Sequence, residues 1–157
     1  SVAFSMSDKS KTTGTVKLPD ARSMQLFQQQ IFRGLWADRH LQTLGNDPRT
    51  LQATVGILAC TKDLYDQQQQ LGATATRSQR QKLSNRNTLC LCNAACPAET
   101  AEWMECARAA ARAIRQGQQP KESCAVRLRK LERCTQATSG RLLQTALVPP
   151  DRDDVSL

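Results

Sequence analysis

The chain has 157 residues, 39% of them hydrophobic and only 4% aromatic, with a net charge of +8. That length fits one domain with tails, and so few aromatics argue against a large core. A bilayer-spanning helix needs ~20 apolar residues, and the longest charge-free, apolar-leaning run of the first half, TLQATVGILACT at 50–61, falls well short of it.

Residues 1–18 read as a polar, extended arm. SVAFSMSDKSKTTGTVK lacks the apolar stretch of a secretory signal. Its bases are all Lys and it carries Asp8, which suits a mitochondrial presequence poorly. The leading Ser is what remains when an initiator Met is trimmed, so the expectation is a true N-terminus.

Residues 19–71 read as a helical hairpin with amphipathic arms. Pro19-Asp20 opens a helix over 20–45, in which Met24, Phe27, Ile31 and Leu35 recur at three- and four-residue steps, the spacing of one helical face. Phe32 and Trp36 widen that face, Gly34 weakens the helix locally, and Gly45 is its stop. Asn46-Asp47-Pro48 is then a turn and a new start, with Asp47 as cap and Pro48 in the first turn. Leu51, Val55, Leu58 and Tyr65 carry a second stripe to about Leu71. His40, the single histidine, reads as an ordinary helix residue beside Arg39 rather than a catalytic base.

Residues 72–92 read as a linker, because GATATRSQRQKLSNRNT (72–88) has almost no apolar weight. The tail ALVPPDRDDVSL (146–157) breaks at Pro149-Pro150 and ends acidic, so it reads as an extended peptide lying on a partner.

Between linker and tail, residues 93–145, lie two stretches of equal span, CPAETAEWMEC (96–106) and CAVRLRKLERC (124–134). In the first, Pro97 suits a first helical turn, and Glu99 and Glu102 place negative charge at the positive end of the helix dipole. Cys96, Trp103, Cys106, Ala110 and Ile114 mark an inward stripe, ended by Gly117 and Pro120. In the second, Cys124, Leu128, Leu131 and Cys134 lie on one side of a helix, and bases fill much of the rest. Ten residues of helix rise about 15 Å. In an antiparallel hairpin Cys106 therefore faces Cys124 and Cys96 faces Cys134, and both bonds close together because the two spans are equal.

Other uses of these cysteines fit less well. Structural zinc sites pair ligands at C-x2-4-C spacing. Cys92 and Cys96 fit that as C-x3-C, but His40 is far away in sequence, so no metal is expected. A C-x-x-C redox motif is absent. Cys60, Cys90 and Cys92 remain, and seven is odd, so at least one thiol is free or bonded between chains. A third bridge from Cys60 to Cys90 or Cys92 and a buried free Cys60 are both open.

The doubled C-x9-C, seventeen residues apart, with leucines inside the second pair, resembles the coiled-coil-helix-coiled-coil-helix (twin CX9C) family over about 93–136. The resemblance implies an all-α fold with a disulfide-stapled hairpin. It implies a mitochondrial protein, mostly of the intermembrane space, imported without a cleaved presequence and oxidised on arrival. The long helical N-terminal half departs from minimal members. The adjacent double cysteine of the family's copper chaperones is absent, which argues against copper delivery.

Bases cluster late in the chain. Arg108, Arg112, Arg115, Arg127, Arg129, Lys130 and Arg133 form a basic face, which reads either as a solvated surface or as a contact for RNA, anionic lipid or acidic protein. Trp103 is the region's one aromatic, which does not suit base-specific readout. No nucleophile-and-base constellation and no Gly-rich phosphate loop appears, so the expectation is a non-catalytic chain without cofactor or small-molecule substrate. The resemblance implies, first, an accessory structural subunit of a mitochondrial inner-membrane assembly, a respiratory complex or the ATP synthase, on the intermembrane-space side. The alternatives are a mitochondrial ribosomal protein of the matrix contacting rRNA through the basic face, and an intermembrane-space assembly factor.

Overall fold

A computed structural model describes residues 17–32 and 48–147. They form five helices, with no strand among the described residues: α1 (Arg22–Phe32), α2 (Pro48–Leu71), α3 (Arg77–Ala95), α4 (Pro97–Arg115) and α5 (Ala125–Leu147). Residues 1–16 of the expected arm over 1–18, the continuation of the first helix with Leu35, Trp36 and His40, and residues 148–157 of the expected tail over 146–157 lie outside the described residues.

Helix α1 starts where the Asp20 carboxylate accepts the Arg22 backbone N–H at 3.0 Å and three hydrogen bonds from the Arg22 guanidinium. Those side-chain bonds, then the backbone bond, hold the Asp20 carboxyl below its ordinary value. Met24 and Phe27 of the expected stripe are fully buried. The helix packs on α5 and on α2.

Helices α2 and α3 form the most extensive pair. Gly72, at φ +69°, makes the turn between them. Here the structure corrects the reading of 72–92 as a linker, since 77–95 is helical and runs three residues past the expected hairpin boundary. The start is fixed by a capping box, in which Gln79 N–H donates to Thr76 Oγ1 at 3.1 Å and Thr76 N–H to Gln79 Oε1 at 2.9 Å. Packing holds the other end, where Leu91 and Cys92 are fully buried.

The stripe expected on α2 is corrected in part, since of its four residues Leu58 alone packs against the core. Leu51, Val55 and Tyr65 are 39%, 55% and 52% exposed. The buried face is Thr50, Ala53, Thr54, Ile57, Cys60 and Thr61. The reason is close approach: a Cβ added at Gly56 would sit 2.7 Å from the Ala94 Cβ. Helices that near one another favour small side chains at the contact, and Leu51, Val55 and Tyr65 turn outward. Two of the buried threonines satisfy their hydroxyls locally, Thr54 on Thr50 O and Thr61 on Ile57 O, both at 2.8 Å.

Cys96 is the joint between α3 and α4. Its N–H donates to Cys92 O at 2.8 Å, closing α3, and its C=O accepts from Thr100 at 2.9 Å, opening α4. Pro97 takes the first helical position. Helix α4 ends with its terminal carbonyls capped by backbone, as Gln116, Gly117 and Gln118 N–H donate to Arg112, Ile114 and Ala113 O. After the loop, Cys124 accepts from Leu128 N–H and stands at φ +64°, so α5 begins at Ala125.

One apolar cluster runs through all five helices, with Trp103, Phe27, Met24, Ile57, Leu91, Leu131 and Leu142 wholly enclosed.

Candidate functional site: a disulfide frame and its basic outer face

Three disulfides tie the chain. Cys96 is bonded to Cys134 and Cys106 to Cys124, two rungs between α4 and α5. Cys60 is bonded to Cys90, joining α2 to α3. Of the two open pairings for Cys60, the bond to Cys90 is the one formed. Helices α2 to α5 are thus covalently linked.

Helix α1 is held on this frame by non-covalent contacts. Asp20 N–H donates to Glu132 Oε2 at 2.8 Å, and Ser139 Oγ to Ser23 Oγ at 2.8 Å. Deeper in, the Gln28 and Asn87 amides bond each other reciprocally at 2.9 Å, and Gln28 reaches Thr61 at 3.3 Å. Sequence reasoning gave no signal for this buried polar joint, because Gln28 stands inside QQQ, which reads as a solvated helix surface.

Cys92 is the free cysteine among the described residues, and it is buried. Burial, and secondarily the Glu132 carboxylate, push its thiol from an ordinary value near 9.0 up to about 12. It is therefore a packed, protonated side chain with little nucleophilic character. Cys96, Glu99 and Cys134 bring one donor atom each within 4.8 Å of one another. The two sulfurs are bonded to each other, so neither has a thiolate to offer a metal.

The basic residues separate into two groups. Between the rungs, α4 carries Glu99, Glu102 and Glu105 and no base, whereas α5 carries Arg127, Arg129, Lys130 and Arg133 against Glu132. The two arms neutralise each other there. Lys130 meets Glu102 at 3.1 Å, and Arg127 meets Glu122 and the Glu102 carbonyl at 3.0 Å. These pairs are well exposed and contribute at most about 1 kcal/mol each. Arg108, Arg112, Arg115, Arg129 and Arg133 point outward. Two of the seven residues expected to meet a partner are thus turned to the seam between the arms.

No protein-family model matches the chain, no curated protein matches it in sequence, and no solved structure matches it.

Proposed function

We propose that this chain is a non-catalytic structural subunit of the twin CX9C type, on the intermembrane-space side of a mitochondrial inner-membrane assembly, a respiratory complex or the ATP synthase. One observation carries the reading: two cysteine spans of equal length are joined as two rungs of one helical pair. Their sulfurs are spent on the frame, and the remaining thiol is buried and protonated. What is left to act on a partner is surface: the outward arginines, and Leu51, Val55 and Tyr65 on α2. No described helix is long and apolar enough to cross a membrane.

Native separation of mitochondrial complexes, followed by mass spectrometry of each fraction, tests the proposal. Migration with a respiratory complex or the ATP synthase supports it, and migration as a free small protein would leave only an assembly-factor role.

A second reading, a mitochondrial ribosomal protein, draws on the unpaired outward arginines, since guanidinium groups neutralise phosphates with salt-dependent affinity. Trp103 is fully buried and offers no ring on which a base could stack. Salt-sensitive co-sedimentation with mitochondrial ribosomes would favour this reading over the first.

A further inference from the structure

The loop end of the α4–α5 pair differs electrically from the part between the rungs. From Ala107 to Ser123 the chain carries Arg108, Arg112, Arg115 and Lys121 against Glu122 alone. Glu122 is already paired with Arg127 at 3.0 Å. Positive charge at this end is therefore not neutralised by the facing arm. Nor are its bases needed to finish the helix. The last carbonyls of α4 are capped by the backbone N–H groups of 116–118, which leaves the Arg112 guanidinium free of that duty.

The same end is concave. A cavity of about 430 Å³ opens there, with Ala109, Ala113 and Pro120 among its apolar walls, and with Arg112, Lys121 and the Arg127-paired Glu122 as its charged lining residues beside Gln116, Gln118 and Gln119. Two cations against one carboxylate that Arg127 already engages leave the notch net positive above small apolar walls, a seat for carboxylates on a short peptide segment.

We infer that this notch docks an acidic segment of a neighbouring protein, with Arg112 and Lys121 as the carboxylate-binding cations and Arg108 and Arg115 adding to the attraction. The inference rests on the reading of the chain as a subunit in contact with neighbours, and it names the chemistry of one such contact. Shape and surroundings favour a peptide over the other anions. A bilayer is flat, whereas Arg112 and Lys121 line a notch. An RNA strand would find no exposed ring on either helix, because Trp103 is enclosed.

The test uses the full oxidised chain and a fluorescein-labelled peptide of alternating Glu and Gly, read by fluorescence anisotropy. The wild type should bind it, more weakly as salt rises. Arg112→Ala with Lys121→Ala should weaken binding about tenfold, Arg112→Lys should keep most of it, and Arg129→Ala with Arg133→Ala should leave it nearly unchanged. Unchanged melting temperature and disulfide map in each variant establish that the fold is intact. Equal losses from the two double variants would overturn the notch, as would binding of single-stranded RNA or anionic vesicles in place of the peptide. This outcome is separable from that of the subunit reading, because the purified chain reports local chemistry and complex migration reports assembly.

Discussion

Gln28 on α1 and Asn87 on α3 hold each other through two hydrogen bonds of 2.9 Å, each amide donating one N–H to the other's carbonyl oxygen. Both side chains are buried. The pair ties the one described helix that carries no disulfide to the stapled frame. Asn87→Ala leaves the Gln28 amide without its main partner inside the core. The expected cost is about 1–3 kcal/mol, measured by denaturant unfolding of the oxidised protein. Hydrogen exchange should show protection lost first in 22–32, whereas uniform loss over all five helices would contradict a local role for the pair.

Gly56 and Gly140 predict opposite responses to the same change. A Cβ at Gly56 would stand 2.7 Å from the Ala94 Cβ, while one at Gly140 meets nothing within 4 Å. Gly56→Ala must push α2 and α3 apart and should destabilise by about 1–3 kcal/mol. Gly140→Ala relieves only the entropy of an exposed helical glycine and should stabilise by about 0.5–1 kcal/mol. Melting temperatures of the two variants compare these directly.

The Cys92 thiol sets a pH dependence. Its folded value is raised to about 12 from an ordinary value near 9.0. Between those values the folded state keeps a proton that the unfolded chain releases. The stability it contributes is complete below about pH 9 and falls as pH rises through that window toward 12. Cys92→Ala should flatten this part of the stability–pH curve, although the smaller side chain lowers the whole curve. Alkylation of native protein at pH 8 should be slow and should accelerate with denaturant. Rapid labelling in the native state would contradict the burial.

The sequence carried some of this plainly and concealed the rest. Equal cysteine spans, Pro97 at a helix start and Gly117 past a helix end are local signals, and α4 and α5 follow from them. Helix α3 is not legible from apolar periodicity, because 77–88 contains few apolar residues. The available signal was Thr76 followed three residues later by Gln79, a capping-box pattern. On α2 the hydrophobic stripe is partly buried only at Leu58, because the close approach at Gly56 and Ala94 turns mostly small side chains inward. The partners of Cys60 and Gln28 depend on tertiary contacts 30 and 59 residues away in sequence, and no local pattern encodes them. At the surface, the seven-residue basic face was legible as composition, whereas its division by Glu102 and Glu122 required the register of the two arms.

The two rungs should respond as pairs. Cys106→Ser and Cys124→Ser remove the same bond and should cost similar amounts, about 2–4 kcal/mol in the chain-entropy account. The outer bond spans 38 residues against 18 for the inner. Closing the longer loop should add roughly 0.6 kcal/mol to the cost of losing the outer bond. Unfolding of the four serine variants under non-reducing conditions measures both the equality and the offset.

The central claim is that the cysteines form a frame. Mass mapping of peptides from the non-reduced protein, after free thiols are blocked under denaturing conditions, tests it most directly. The account predicts links of Cys60 to Cys90, Cys96 to Cys134 and Cys106 to Cys124, with the blocking group on Cys92 alone. A link between Cys96 and Cys106 would contradict it, because the intact helix between them holds those sulfurs about 15 Å apart.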